Sequence, residues 1–286
     1  RRTNAGTTES GGLAGVLPSK NTLGGIMVLG AILWILHTIG NRKHRPISIV
    51  MSCVCLLMAV QAKSGGAIFL FIVLLFATLS TRFLKSFRFK HAAVMTSVFL
   101  LATTVILFLV FFNLESALGA VGKDLSFTGR SKVWPAVISA ASERIWLGYG
   151  MFSFWQSWRG LDNPALDHWT SSPFWVPPSA HQGFLDILLQ LGLIGLISLL
   201  LCIGLSTIQS IRYLFTHKGV PAILPITVIL HHFMSNLPET RVLRPNAFWV
   251  AYAIVSIKLS ISVDRSIAPS KEALAITGHG KALEKV

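Results

Sequence analysis

Charge is scarce in this sequence. Asp, Glu, Lys and Arg together make up 13% of its 286 residues, about half of the ~25% found in ordinary soluble domains. Hydrophobic residues make up 52% and the mean hydropathy is +0.64, which argues against a soluble enzyme. Acidic residues are fewer than basic ones: 11 Asp and Glu stand against 25 Lys and Arg, which gives a net charge of +14. The basic residues lie in short clusters between apolar runs and not on one water-facing surface, so we expect no nucleic-acid partner.

Cysteines are few as well. Cys53, Cys55 and Cys202 all lie within apolar runs and no CxxC pair is present, a pattern that predicts buried thiols without a disulfide or a metal. No DxD pair and no His/Cys cluster with ligand spacing occurs either, so a diphosphate held by a metal ion is not indicated. We expect neither a metal nor a cofactor.

Apolar runs, by contrast, are long. Seven of them can cross most or all of the ~30 Å hydrocarbon layer at about 1.5 Å per residue, and they cover residues 23–40, 47–62, 65–81, 92–112, 184–208, 220–236 and 246–262. We therefore predict an all-α, polytopic integral membrane protein with about seven transmembrane helices and one long, helical external loop. Its parts are an external segment at 1–22, helices 1–4 within 23–112, the loop at 113–183, helices 5–7 within 184–262 and a tail at 263–286.

The basic residues predict the orientation. Most of them lie in the first, third and fifth connections, which hold no acid, and in the C-terminal tail: Arg42, Lys43 and Arg45; Arg82, Lys85, Arg88 and Lys90; Arg212 and Lys218; Lys258, Arg265, Lys271, Lys281 and Lys285. Lys and Arg in short loops are retained in the cytoplasm, so we place the tail there and the loop at 113–183 outside. The chain begins with Arg1 and shows no signal peptide, and we expect it to be the C-terminal part of a longer protein.

The external loop is rich in aromatic residues. Its length of about 70 residues is typical of a functional or a disordered segment, and six of the eight tryptophans lie in it, which argues against disorder. Trp134, Val137, Ile138, Ala141 and Ile145 recur at helical spacing and predict an amphipathic helix on the bundle or at the interface. The rings fit either an aromatic belt at the headgroup level or a platform for sugar rings.

Candidate chemistry lies at the two ends of the aromatic segment. His181 stands just before the fifth span, where a histidine can take a proton from a hydroxyl as a general base or serve as a hydrogen-bonded structural residue. Arg130 has a planar fork that suits phosphate or carboxylate, and its alternative role is an anchor to lipid headgroups. In the sixth span, interhelical hydrogen bonding competes with a functional role for His231 and His232. Other external cations indicate an anionic ligand on this face, although a solvated rim explains any one of them: Lys20, Arg144, Arg159, Arg241 and Arg244.

Several segments together resemble the O-antigen ligase and polymerase family, in particular its bacterial exopolysaccharide polymerases. His181-Gln182, nine residues and then Gly192-Leu193-Ile194-Gly195 are similar to the family's pattern of His followed by Asn, Ser or Gln, nine residues, Gly, two residues and a small residue. Further pieces fall in the family's order: Gly15 to Asn21, Gly129-Arg130 with Trp134, Leu147 to Gly150, Ser235 to Thr240 and Pro245 to Trp249. The resemblance covers residues 15–260. Family members have more spans than seven, so we expect N-terminal spans to be missing from this chain.

The resemblance implies a metal-independent, inverting glycosyl transfer on the periplasmic face of the bacterial inner membrane. The donor would be a glycan linked through diphosphate to a polyprenyl lipid, and the acceptor another glycan or a lipid-linked glycan. Carried to this sequence, His181 would be the catalytic base and Arg130 a diphosphate ligand. Other candidate substrate-binding residues are Lys20, Arg241, Arg244 and Gln182.

Three classes of function stay open beside a polymerase. The motifs around Lys20, Arg130 and residues 245–249 favour an exopolysaccharide or O-antigen polymerase. The alternatives are a ligase that attaches the glycan to lipid A core or protein, a lipid-glycan transporter, and a structural member of an export complex. Membrane lipid and other polysaccharide assembly proteins are the further partners that we expect.

Overall fold

Helices are the regular structure of the part of the chain that the structure describes. This computed structural model describes residues 12–84, 130–156, 158, 162–168 and 177–267. Within these residues lie α1 Lys20–Gly40, α2 Arg45–Gln61, α3 Gly65–Leu84, α4 Arg130–Glu143, α5 Gly183–Thr216, α6 Leu224–Ser235 and α7 Ala247–Ile267, with short 3-10 turns at Pro164–Asp167 and Val220–Ala222. No β-strand occurs among them, so the prediction of an all-α fold is confirmed for the described residues.

Six of the predicted spans coincide with helices, and the span predicted at 92–112 lies outside the described residues. α1 and α5 are long and apolar enough to cross a membrane, while α2, α3 and α7 and the segment Val220–Ser235, which contains α6, hold shorter apolar stretches. The number of spans therefore stays a prediction. α5 continues to Thr216, beyond the span predicted at 184–208, because its last two turns combine polar residues with the buried Ile211 and Leu214, and an apolar run alone does not reveal them.

Two apolar cores hold the helices together. The first joins α1, α2, α3 and α6 with the last turns of α5, and Val28, Ile32, Leu74 and Leu214 are buried in it. The second joins α5, α6 and α7 around residues such as Ile187, Ile229 and Tyr252. Polar contacts tie the same helices, because hydrogen bonds between helices are retained where water is excluded. Ser206 Oγ of α5, for example, donates to Ser256 Oγ of α7 over 3.0 Å.

Large apolar side chains also cover the outer faces of the helices. They include Ile47, Val50, Val54 and Leu57 on α2, Ile68, Ile72 and Phe76 on α3, Ile197, Leu201 and Leu205 on α5, and Val250, Ile254 and Ile257 on α7. Apolar surface of this extent is typical of helices that face lipid. Cys53 and Cys202 are exposed, so the prediction of buried thiols is wrong for these two. Apolar runs in a membrane protein face lipid as well as protein, and the sequence pattern did not separate the two surroundings.

The helices run alternately up and down, which separates two ends of the bundle. At one end, which we call the site end, α1, α3, α5 and α7 begin; there the backbone N–H of Leu13 donates to the carbonyl of Gln61 at the end of α2. At the opposite end, Gly40 at the close of α1 packs so tightly on Val220 that a Cβ atom there would lie 3.1 Å from the valine side chain.

α4 and the segment that follows it pack against the first turns of α5. Val133, Val137 and Ala141 of α4 are buried together with Leu189 of α5, which confirms the predicted amphipathic helix. Ile138 differs from the prediction because it points outward. The helix stops at Glu143, two residues before the last apolar position of the predicted pattern.

A kink in α5 anchors this segment. Gly192 has left-handed φ (65°) inside the helix, and such a break leaves backbone groups without their helical partners. The loop supplies new ones: Tyr149 and Gly150 N–H donate to the carbonyls of Leu189 (3.0 Å) and Gln190 (2.8 Å), and Leu193 and Ile194 N–H donate to those of Ile145 (2.7 Å) and Trp146 (3.3 Å). A Cβ atom on Gly192 would overlap the Trp146 carbonyl. The glycine and the Leu147–Gly150 loop therefore form one structural unit.

Candidate functional site

His181 lies at the site end, immediately before the cap of α5. Its φ is +52°, a left-handed conformation that non-glycine residues adopt uncommonly. The side-chain oxygen of Gln182 caps α5 by accepting from the backbone N–H of Leu185. On the other side, the indole Nε1 of Trp134 in α4 donates to the carbonyl of Ala180 over 3.1 Å. The cap and the tryptophan therefore fix the backbone on both sides of the histidine.

A carboxylate from a distant part of the chain faces the imidazole. The Nδ1 atom of His181 lies 3.6 Å from Oε2 of Glu239, which belongs to the connection between α6 and α7. The side chains are 29% and 17% exposed, so the pair is partly shielded from water and open on one side. Asn21 at the start of α1 donates from Nδ2 to Glu239 Oε1 over 2.7 Å. Ser64 Oγ in turn donates to Asn21 Oδ1 over 2.9 Å.

Asn236 shapes the connection that carries the carboxylate. Its Oδ1 accepts from the backbone N–H groups of Arg241 and Val242, both at 2.8 Å. Its own carbonyl accepts from the N–H of Gly183, the first residue of α5, also at 2.8 Å. A Cβ atom on Gly183 would overlap the Asn236 side chain. The connection between α6 and α7 is thus locked against the start of α5.

Arg241 is buried beneath this connection. It is 7% exposed, its Nη1 donates to Thr22 Oγ1 over 2.7 Å, and its guanidinium lies 4.6 Å from the centre of the Phe248 ring. Burial lowers the pKa of the guanidinium from its usual value, and the charge of Glu239 opposes that shift. Because arginine stays protonated in proteins, the site retains a fixed positive charge behind the carboxylate.

A second charged centre joins three segments around Asp186. This residue, in the first turn of α5, has a fully buried side chain, and its Oδ2 lies 3.3 Å from Nη2 of Arg244. Its Oδ1 accepts from Trp155 Nε1 (2.7 Å) and from the N–H of Ala180 (3.2 Å). Arg244 Nη2 also donates to the carbonyl of Pro178 over 3.4 Å. Asp186 therefore connects the segment that holds Trp155, the residues before His181 and the α6–α7 connection.

Strained backbone surrounds these groups. Of the described non-glycine residues, Lys63, Phe152, His181 and Leu243 have positive φ. Lys63 precedes Ser64, Leu243 precedes Arg244, and the Phe152 ring centre lies 5.9 Å from the Arg244 Cζ atom. All four thus lie at or beside the site. Such conformations persist where the surrounding structure over-determines them, and they cluster at functional sites.

The sequence model of the O-antigen ligase family matches residues 47–200, which is more than half of the chain. The protein belongs to the O-antigen ligase family. A comparison with curated proteins finds no match. Membership agrees with the apolar helices described above, and we treat this family member as a membrane protein. The match includes Arg130, His181 and the kink at Gly192, whereas Glu239, Arg241 and Arg244 lie beyond its end.

The structure brings most of the predicted site residues of this O-antigen ligase family protein to one end. His181, Gln182, Arg241 and Arg244 lie within the network described above, and Lys20, the first residue of α1, is next to Asn21. Arg130 is the first residue of α4, one helical turn before Trp134. Gln182 uses its oxygen as a helix cap, which leaves its NH₂ group for a ligand. The buried position of Arg241 favours an indirect role for that residue.

The histidines in α6 have structural partners. His231 Nε2 lies 3.0 Å from the carbonyl oxygen of Gly25 in α1, and its ring stacks on Phe248 with centres 5.3 Å apart. His232 stacks on Tyr252 at 4.6 Å. The interhelical hydrogen bond that we predicted as one of two roles is confirmed for His231.

Three functional candidates escaped the sequence analysis. They are Glu239, Asn21 and Asp186, none of which the sequence singled out. A usable signal existed for Asp186, because an ionisable residue within an apolar helix is by default a functional hypothesis. No local signal reveals that Asn21 and Glu239 meet, since they come from opposite ends of the chain. Within the described ranges, no three His, Cys, Asp or Glu side chains are grouped as a metal site.

Proposed function

We propose that this protein is a glycosyltransferase that polymerises polyprenyl-diphosphate-linked glycan repeat units on the periplasmic face of the bacterial inner membrane. The observation that carries the proposal is the pairing of His181 with Glu239 at a partly open position. This position is fixed by α1, by the start of α5 and by the α6–α7 connection. A histidine base paired with a carboxylate can activate a hydroxyl group. Arginines beside it can stabilise a departing diphosphate.

The reaction follows from the arrangement of charges. His181 accepts the proton of an acceptor hydroxyl as that oxygen attacks the anomeric carbon of the donor sugar. The new carbon–oxygen bond forms on the face opposite the departing lipid diphosphate, so the configuration inverts. Glu239 stabilises the imidazolium that forms, in the way that a buried carboxylate supports a histidine base. Positive side chains stabilise the charge that grows on the diphosphate, and we assign this role to Arg130 and Lys20.

Arg241 has a positioning role in this proposal. Its guanidinium is held by Thr22 and Phe248, and its backbone N–H is held by Asn236. It therefore fixes the connection on which Glu239 stands and adds a fixed positive charge behind the carboxylate. The steps proposed use side chains alone, without a metal ion.

We further propose seven spans with a cytoplasmic C-terminus. The end opposite the site carries the exposed cations Arg42, Lys43, Arg45, Arg212 and Lys218, which the positive-inside rule assigns to the cytoplasm. The site end is then periplasmic. Single cysteines at Asp162 and at Lys218 of the full-length protein, in a background without Cys53, Cys55 and Cys202, test this. An impermeant thiol reagent should label the first and not the second in outer-permeabilised cells, and the reverse pattern would overturn the orientation.

The decisive test of function is a complementation assay with the full-length protein. In cells that lack the native copy, His181→Ala should abolish glycan polymer at wild-type protein level, and His217→Ala, an exposed histidine at the opposite end, should not. Normal chain length with His181→Ala at normal protein level would refute the catalytic role. The products separate the alternatives, because a polymerase gives long chains on lipid diphosphate, a ligase gives a glycan on lipid A core or protein, and a transporter gives no new glycosidic bond.

A further inference from the structure

Phe152 has an exposed ring on a rigid backbone. The residue is 48% exposed, and its φ of +57° is an outlier for a bulky side chain. Two hydrogen bonds hold it in place. Its N–H donates to Oε1 of the buried Gln190 over 2.6 Å, and its carbonyl accepts from Gln156 Nε2 over 2.8 Å. An exposed aromatic ring gains little free energy from burial that could offset the strain of its backbone. A functional role is therefore the better explanation for this conformation.

A cation is fixed beside that ring. The Cζ atom of Arg244 lies 5.9 Å from the ring centre, within the range of a cation–π contact. Arg244 is itself held by Asp186 Oδ2 at 3.3 Å and by the carbonyl of Pro178 at 3.4 Å. Asp186 also holds the N–H of Ala180, the residue before His181. The ring and the guanidinium are therefore part of the same rigid assembly as the proposed catalytic base.

We infer that Phe152 and Arg244 form a subsite for a sugar ring of the glycan, and this inference rests on the proposed function. The face of an aromatic ring carries partial negative charge, which suits the C–H groups on one face of a pyranose. The guanidinium is a fixed fork of N–H donors; Nη2 already donates to Asp186 and Pro178, and Nη1 suits the hydroxyl or carboxylate groups at the edge of the sugar. A sugar stacked on Phe152 would hold the glycan beside His181.

The geometry favours a sugar over a lipid chain as the occupant. A lipid-facing ring needs neither a left-handed backbone nor a fixed guanidinium at its face. Trp146 provides the comparison, since it is 65% exposed in the same segment and has no such strained backbone. Substitution of Trp146 is therefore the matched control for the loss of any exposed aromatic side chain at the membrane interface.

The test uses the purified full-length protein in vesicles of phosphatidylethanolamine and phosphatidylglycerol. The donor is the lipid-linked repeat unit extracted from the source cells, and the acceptor is the same oligosaccharide released from its lipid. Phe152→Leu should raise KM by about threefold to tenfold, as loss of an aromatic contact predicts, with kcat within about twofold. Phe152→Tyr should restore KM, and Trp146→Leu should leave it unchanged. A rise in the KM of the released acceptor places the subsite on the acceptor side, and a rise in that of the donor places it on the donor side.

A binding measurement separates this inference from the proposed function. Saturation-transfer NMR of the released oligosaccharide, with His181→Ala protein in the same vesicles, reports contact without catalysis. Phe152→Leu should remove the transfer to sugar protons. An unchanged KM and unchanged transfer would refute the subsite even if His181→Ala is inactive, and equal effects of Phe152→Leu and Trp146→Leu would refute it in favour of a lipid contact. If His181→Ala remains active while Phe152→Leu still loses sugar contact, the catalytic proposal fails and the subsite stands.

Discussion

Nδ1 of His181 faces Oε2 of Glu239 across 3.6 Å, although α5 and α6 separate the two residues in the chain. Glu239 is fixed from its other side by Asn21, so neither partner of the pair is set by its own segment alone. A base that depends on three segments is sensitive to changes in each of them.

Glu239→Gln should lower kcat about tenfold to hundredfold, with KM nearly unchanged. The amide keeps an oxygen for Asn21 but loses the charge that stabilises the imidazolium in the transition state, and an interaction made mainly in the transition state appears in kcat. Initial rates of the vesicle assay measure this. The matched control is Glu143→Gln, an exposed carboxylate beside Tyr149, which should leave kcat unchanged. A full rate with Glu239→Gln would remove the carboxylate from the proposed mechanism.

Asp186→Ala should lower the free energy of unfolding by about 3 kcal/mol, since breaking a buried ion pair leaves an uncompensated charge. The partner left behind is Arg244. Its partial exposure of 30% makes the loss smaller than for a wholly buried pair. Arg244→Leu in the same chain should recover part of the loss, and the four variants form a double-mutant cycle. Thermal unfolding of the protein in detergent measures it. Losses that simply add would mean that the two side chains are not coupled.

Gly192→Ala should detach the loop from α5. The left-handed φ penalises any side chain by about 1 kcal/mol, and the added Cβ atom would overlap the Trp146 carbonyl. We expect a lower unfolding temperature and faster proteolysis of the segment around residues 145–150. Gly204→Ala in the same helix is the control, because a Cβ atom there meets no atom within 4 Å. It should be neutral or slightly stabilising. Equal stability of both variants would contradict the role of the kink.

Arg241→Lys should make the stability of the protein rise with pH in the alkaline range, relative to wild type. Burial lowers the pKa of the native guanidinium, yet arginine stays charged at every accessible pH. The pKa of the introduced lysine ammonium is about 10.4 in the unfolded chain, and burial should lower this pKa in the folded protein. The unfolded chain then binds the proton more tightly than the folded one, so raising the pH through this window stabilises the variant. Unfolding temperatures from pH 7 to 10 should therefore rise for Arg241→Lys relative to wild type. A constant difference would mean that the site does not desolvate the charge.

Arg130→Lys should lower kcat/KM about tenfold or more, because the ammonium keeps the charge but loses the bidentate fork. Lys132→Arg, two residues further along α4, is the reciprocal control and should change little. The vesicle assay with extracted lipid-linked donor measures both. Unchanged activity of Arg130→Lys would leave Arg130 as a simple point charge.

The membrane helices could be predicted from the sequence because their signal is local. In a membrane, the backbone N–H and C=O groups of an apolar run such as residues 23–40 can form hydrogen bonds only within the segment, so the run forms a helix. The same holds for the amphipathic pattern of α4, where Val133, Val137 and Ala141 share one face. His181 was found because it stands in a motif of fixed spacing with Gly192. Even so, the apolar run did not reveal that α5 continues to Thr216, because its last two turns mix polar residues with the buried Ile211 and Leu214.

Only the tertiary structure decided which side chains meet at the site. By itself, the sequence determined the helical class, the apolar spans, the excess of positive charge and the candidate base. Glu239 of the α6–α7 connection faces that base, Asn21 at the start of α1 binds Glu239, and Asp186 in the first turn of α5 binds the N–H of Ala180 beside it. A sequence pattern reports which face of a helix is apolar, but it does not report which helix ends lie together. Packing of the apolar faces sets that order, and the polar ends then meet as a consequence.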